Sequence, residues 1–341
     1  MTDQLYKILE KDNLTQFSNA LNHSGIIYAP VKISDNAHGF KEVDSLDQAE
    51  LNYTRTMIPP KKFFISPKET IFTFNKEMDE YYETPAISEP IVLFGVHACD
   101  LNALNLLSKV YLETFTDKYY SERRSNTIII GISCKPDEFC FCKSTGTDYA
   151  KDGFELFFHD IGEKYFVRVG TLQGYKLLEK YNEFFSEITE TDIELYKNAE
   201  IERLGSFTKN LETSGLQDLL DISYESPIWQ EYGDICLSCG SCNLVCPRCR
   251  CYDVQDYVDL NMQTGERVRT WYSCMLKEHG LVAGGHNFRV SSKERLRNRI
   301  NCKGSLKEGM TNCVGCGRCT VYCPAGIDYV EILKKVRGEI N

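Results

Sequence analysis

Apolar residues recur along this chain in two rhythms, and the alternation between them predicts its elements. Over residues 3–21, Leu5, Leu9, Phe17 and Leu21 follow helical spacing. Residues 26–31 and 71–74 are short apolar runs that predict strands, and 91–96 is nearly continuous in apolar residues, as in a strand buried on both faces. A short turn at 97–100 leads into helical periodicity over 101–110. Residues 127–132 repeat the buried-strand pattern and again run into a loop that bears cysteine. Residues 154–158 and 165–169 flank the polar stretch 160–163 and predict a hairpin. From about 172 to 204 the pattern is that of helices rich in Glu and Lys. Further on, 252–262 and 292–300 carry helical spacing, and 329–340 predicts a closing helix with Val330, Leu333, Val336 and Ile340 on one side. The fold class expected is α+β: a mixed α/β domain over residues 1–230, then an α-helical region over 231–341.

The cysteines sharpen that division. Of 16, four lie in residues 1–230 and twelve in 231–341. The boundary is expected within the polar stretch 223–232, which contains Pro227. Eight of the twelve form two copies of one pattern: Cys236, Cys239, Cys242 and Cys246 before Pro247, and Cys313, Cys316, Cys319 and Cys323 before Pro324. This is the ligand spacing of two-cluster bacterial ferredoxins, in which the fourth cysteine of each run serves the other cluster. Cys236, Cys239, Cys242 and Cys323 are therefore assigned to one 4Fe–4S cluster, and Cys313, Cys316, Cys319 and Cys246 to a second. Ser238, Gly240, Gly315 and Gly317 let the loops turn tightly and aim amide N–H groups at the sulfurs. A structural zinc protein is the alternative, but zinc sites pair short knuckles and rarely run four cysteines at this spacing twice. The two runs are 66 residues apart, which predicts a helical insertion.

The N-terminal four cysteines are Cys99, Cys134, Cys140 and Cys142. Cys99 and Cys134 each follow a predicted buried strand. If those strands are parallel, both thiols face the crevice at the carboxyl ends, where ligands bind in open α/β sheets. Four thiols on one rim suit a third 4Fe–4S cluster; another metal, or plain packing of small buried residues, are the alternatives. Asp100 reads as a helix N-cap. Cys249, Cys251 and Cys274 fall outside the runs and are candidates for a further metal centre or for packing around the first cluster, while Cys302 reads as packing. Residues 289–307 are locally basic, with Arg289, Lys293, Arg295, Arg297, Arg299, Lys303 and Lys307 against Glu294. Such a stretch docks an acidic partner, offsets the charge of anionic clusters, or is a solvated helix face.

Composition narrows the function. A formal net charge of −10 argues against nucleic-acid binding. No run of about 18 apolar residues is present to span a membrane. MTDQLYKILEKDNL lacks the basic-then-apolar order of a secretory signal, so the cytoplasm is the expected compartment. There is no Walker loop, no GxGxxG after a strand, no GxSxG and no HExxH. The chain reads as an electron carrier rather than as an enzyme with a substrate site of its own, although a reductase acting at the N-terminal cysteines is a competing reading.

Several segments together resemble one family. Gly95-Val96-His97-Ala98-Cys99-Asp100-Leu101 is similar to its GV-x2-CDL signature, with His97 and Ala98 standing where Arg and Pro are common. Cys140-Phe141-Cys142-Lys143-Ser144-Thr145-Gly146 resembles its CFC-x-S-x-G loop. The stretches 236–251, 271–274 and 283–289 also match. The family is the iron–sulfur β subunit of cytoplasmic NiFe sulfhydrogenases, with the A subunit of anaerobic sulfite reductase a relative. The resemblance covers most of residues 90–341. It implies an electron-transfer subunit of an oxygen-sensitive complex, placed between a flavin subunit that exchanges electrons with NAD(P)H and a catalytic subunit of NiFe hydrogenase or sirohaem sulfite reductase type.

Overall fold

The computed structural model describes residues 5–85, 89–307 and 310–340. Its largest element is an eight-stranded sheet. The strands are β1 (Tyr6–Glu10), β2 (Ile26–Ser34), β3 (Ala37–Glu42), β6 (Ile91–Val96), β7 (Thr127–Ile132), β8 (Leu156–Asp160), β9 (Lys164–Val169) and β10 (Phe185–Ser186), in the order β10-β1-β9-β8-β7-β6-β2-β3. The four central strands β8, β7, β6 and β2 run parallel, and both flanks are antiparallel. Along β6, Val92 and Phe94 enter one core layer while Leu93 and Val96 enter the other. Helices α1 (Leu14–Leu21) and α4 (Leu172–Lys180) cover the first face through Phe17, Leu21, Leu177 and Leu178. Helices α2 (Ala98–Leu112) and α3 (Lys118–Ser125) cover the second through Leu101, Leu104, Leu107 and Tyr120. Burial on both faces is why the central strands read as continuous apolar runs.

Two expectations fail here. Residues 3–21 are not one helix: Tyr6–Glu10 is a strand between β9 and β10, and only Leu14–Leu21 is helical. Leu5 and Leu9 are four apart, a spacing that shares a face in a strand as well as in a helix, so the pattern could not separate the two. Residues 252–262 are not helical either. They begin the hairpin of β11 (Tyr252–Val258) and β12 (Thr264–Trp271), turned at Asp259–Thr264 with Met262 in the left-handed region at φ 60°. Hence the region after residue 230 is not wholly α-helical.

That hairpin joins β4 (Lys68–Asn75) and β5 (Glu80–Glu83) in a second sheet, ordered β11-β12-β4-β5. The insertion between the cysteine runs thus pairs with strands from the first quarter of the chain. Arg269 on β12 reinforces the joint, donating to Glu69 at 2.9 Å and 2.6 Å and to Asp117 at 2.5 Å. The remaining elements are α5 (Glu190–Gly205), α6 (Leu216–Ile222), α7 (Ile228–Ile235), α8 (Ser241–Leu244), α9 (Ser292–Gly304), α10 (Arg318–Val321) and α11 (Tyr329–Arg337). Trp229, Leu296, Ile300, Tyr329, Ile332 and Leu333 form a separate core around the cysteine runs. Helix α11 stops at Gly338 with φ 75°, so Ile340 lies beyond it and is exposed.

Candidate metal centre

Each cysteine run opens into a one-turn helix, α8 or α10, entered through a left-handed glycine: Gly240 at φ 81° and Gly317 at φ 72°. Cys236, Cys239, Cys242 and Cys323 line one cavity, with Met275, Leu296 and Ile300 as apolar walls. Cys319 of the second run lines the same cavity, so the first set adjoins the second. That second set is Cys313, Cys316, Cys319 and Cys246, whose sulfurs act electrostatically on one another. Amides aim at the sulfurs: Gly315 N–H donates to Cys313 and Ile327 N–H to Cys323, each at 3.4 Å.

The N-terminal four also converge. Cys99 lies in the first turn of α2 just beyond β6, and Cys134 lies just beyond β7, at the carboxyl ends of two parallel strands. Cys134, Cys140 and Cys142 are electrostatic neighbours, and Cys99 faces Cys142 and Cys316. The loop 137–142 is held by Asp137, which accepts from the amides of Phe139 and Cys140 at 3.0 Å and 3.2 Å. Arg55 clamps it, donating to Asp137 at 2.5 Å, to the Cys140 sulfur at 3.1 Å and to the Cys316 carbonyl at 3.2 Å. The second run lies directly on this loop. Phe141 N–H donates to the Gly315 carbonyl at 2.8 Å, and a Cβ on Gly315 would come within 2.5 Å of the Cys142 nitrogen.

Three thiol sets therefore stand in file, linked through Cys319 and Cys316. Cys239 is exposed at one end. At the other, Cys134 lines an open cleft of about 720 Å³ with Lys11, Tyr53, Lys135 and Arg203. Among the described residues no three His, Cys, Asp or Glu side chains close on a point as a single ion requires. The thiols of the first set, spread around their cavity, suit a cluster, which gives each thiolate its own iron. Burial raises the thiols, Cys242 and Cys140 to about 11 and Cys313 and Cys134 to about 12. Left alone they stay protonated, whereas a coordinating metal deprotonates a thiol outright.

A family pattern described as a 4Fe-4S dicluster domain matches residues 235–327. Over 333 residues the chain is 44% identical to "Sulfhydrogenase 2 subunit beta" of Pyrococcus furiosus, covering 97% of this chain and 98% of the relative. The chain belongs to the sulfhydrogenase β-subunit family. It is an iron–sulfur electron-transfer subunit with a 4Fe–4S dicluster domain, which favours clusters over structural zinc.

Three residues of the basic stretch do not lie on a solvated face. Arg295, Arg299 and Lys303, four residues apart on α9, are all buried against the cysteine runs. Arg299 donates to the Cys242 carbonyl at 3.1 Å and acts electrostatically on Cys242, Cys246 and Cys319, so one cation serves both thiol sets of the dicluster domain. Burial opposes ionisation of Cys246, yet Lys303 and Arg299 outweigh it and bring that thiol down. Arg295 donates to Ser238 at 2.9 Å. The spacing of those basic residues was the sequence signal for their shared face. No local pattern pointed to Arg55, Lys61 or Arg318.

Asp100 is not the N-cap of α2. His97 holds that position, without a side-chain cap bond, and Asp100 instead accepts two bonds from Arg318. His97 is buried, stacked on Tyr53 at 4.0 Å, and its pKa falls to about 3 because burial disfavours the charged ring.

Cys249, Cys251 and Cys274 also come together, around Cys251. The three thiols act on one another, which lowers Cys249 and Cys274 and raises Cys251. Cys302 is exposed and Cys251 partly so. His279 stacks on Tyr272 and His286 packs edge-on to Phe288.

Proposed function

We propose that the chain relays electrons one at a time between a flavin subunit that binds NAD(P)H and a catalytic subunit of NiFe hydrogenase or sirohaem sulfite reductase type. The route is three 4Fe–4S clusters. Cys236, Cys239, Cys242 and Cys323 hold the first, Cys313, Cys316, Cys319 and Cys246 the second, and Cys99, Cys134, Cys140 and Cys142 the third. The observation that carries this reading is the file of thiol sets, with Cys319 beside the first cavity and Cys316 against Cys99. Its two ends differ: Cys239 is exposed, and Cys134 faces the cleft. The clusters supply the redox chemistry, and the protein supplies position, burial and charge. Arg299, Lys303 and Arg55 are placed to stabilise reduced, more anionic clusters. The relative's name favours hydrogenase-type partners. Among the described residues no helix is long and apolar enough to cross a membrane, in keeping with work in the cytoplasm.

The cleft at Cys134 supports one second reading, a reductase whose substrate enters there. Anaerobic affinity purification of the native protein, with mass spectrometry of every co-purifying chain, separates the two. Recovery of flavin and catalytic subunits supports the relay. Recovery of the chain alone, still reducing a substrate with a chemical donor, favours the reductase.

A further inference from the structure

The two cysteine runs are one motif used twice, yet only one copy is covered. Leu237, Ser238, Cys239 and Gly240 of the first correspond position by position to Val314, Gly315, Cys316 and Gly317 of the second. The backbones agree: Ser238 and Gly315 are left-handed at φ 51° and 59°, and Gly240 and Gly317 at 81° and 72°. Each turn leads into its one-turn helix, α8 or α10.

In the second run this turn is sealed by the 137–142 loop. Phe141 N–H donates to the Gly315 carbonyl at 2.8 Å, and a Cβ on Gly317 would come within 2.6 Å of the Phe139 carbonyl oxygen. Val314 is only 2% exposed. Cys99, Cys142 and Val314 form one buried group, with Cys316 packed against it. The covering loop thus brings thiols of its own to the ligand loop that it covers. In the first run the same positions are bare: Leu237 is 67% exposed, and Cys239 is exposed too.

Further apolar side chains widen the bare turn. Arg295 donates to Ser238 Oγ at 2.9 Å and to the carbonyls of Arg289 and Val290 at 3.2 Å and 2.5 Å, so one guanidinium holds 237–239 beside 288–290. Phe288 is 65% exposed, and Val290 and Ile235 are exposed as well. Residues 235–247 and 279–288 contain no Asp, Glu, Lys or Arg, in a chain in which 26% of residues are charged. Exposed apolar side chains without charge mark the core of a lasting protein interface, whereas charge steers a carrier that binds and leaves.

We propose that the bare turn of the first run seats a permanently bound partner subunit that carries an iron–sulfur cluster of its own, set against Cys239 as the 137–142 loop is set against Cys316. The repeat supplies the chemistry of the partner, because on the covered copy a cysteine-bearing loop fills this position. Ser238 stands where the covered copy has Gly315, so the partner approaches over a side chain rather than onto bare backbone. One electron passes at a time between the cluster at Cys239 and the partner's, one cluster being oxidised as the other is reduced. The inference rests on the relay reading only for the Cys239 end of the file.

The test uses the complex purified anaerobically with its clusters, its chain carrying a photo-cross-linking phenylalanine analogue in place of Phe288. Irradiation at low and at high salt is followed by mass spectrometry of the joined peptides. The expected result is a cross-link to a cluster-bearing subunit, with equal yield at both salts. Phe288→Asp and Val290→Asp should each release that subunit on size exclusion while the iron content and cluster spectra of this chain stay unchanged. A cross-link to a subunit without a cluster, to a second copy of this chain or to nothing would overturn the proposal and leave the relay standing. So would a yield that collapses at high salt, as a diffusing carrier would give, or retention of the subunit in both Asp variants. Iron missing from the first thiol set of the unaltered complex would overturn the relay and the proposal with it.

Discussion

Arg318 donates two hydrogen bonds of 2.7 Å to the carboxylate of Asp100, and both side chains are sealed from solvent. The pair ties the first turn of α2, beside Cys99, to α10, beside Cys316 and Cys319. Arg318 also donates to the Thr56 carbonyl at 2.7 Å, bringing a third segment into the joint. A planar guanidinium matches a carboxylate in this two-pronged geometry, which Lys cannot reproduce.

Removing one partner strands the other charge in the interior. Arg318→Met is expected to cost about 3–5 kcal/mol, read as a lower urea midpoint by circular dichroism under anaerobic conditions. Arg318→Met combined with Asp100→Leu should cost less than the single change. Equal or greater loss in the double variant would show that the pair is not the source of the effect.

Gly315 has φ +59°, and any Cβ there would strike the backbone of Cys142. Gly326 has a similar φ of +65° but open space around it. Gly326→Ala therefore measures backbone strain alone, about 1 kcal/mol. Gly315→Ala should lose distinctly more and should disturb the spectrum of the cluster proposed at Cys99, Cys134, Cys140 and Cys142. Equal losses in the two variants would mean that the 137–142 loop yields freely.

Cys134→Ser and Cys239→Ser each remove a proposed ligand from a different end of the file. Each should lower the iron content by one cluster. Turnover of the complex should stop in both, while dye reduction by the proposed flavin subunit continues. Iron assay with electron paramagnetic resonance decides the assignment; unchanged iron in either variant would refute that ligand.

Arg55 places its positive charge 3.1 Å from the Cys140 sulfur. A cation favours the reduced, more negative cluster, so Arg55→Gln should make the potential of the proposed third cluster more negative. The shift should be on the order of tens of millivolts, because the ion pair with Asp137 already offsets part of the Arg55 charge. Redox titration should show the other two clusters moving less.

Much of this was legible in the chain. The buried strands at 91–96 and 127–132, the hairpin at 154–169 and the helix around 292–300 follow from apolar period and length. The first nine residues misled because a four-residue spacing fits both helix and strand. Residues 252–262 misled because β11 has mostly exposed side chains, so its strand state comes from pairing with β12 rather than from an apolar stripe.

The sequence by itself determined the chemistry. Two cysteine runs at fixed spacing specify cluster ligation because three thiols that close together need only a short loop to surround one cube. Their relation to everything else was decided by tertiary structure. Cys99 meets Cys142 and Cys316 because parallel β6 and β7 end on the same rim and the second run packs onto the 137–142 loop through Gly315. Arg55, Lys61 and Arg318 reach the cysteine sets from distant segments. Such contacts leave no periodic trace in a chain: they are set by where folded elements dock, and that is fixed by shape, burial and charge across the whole molecule.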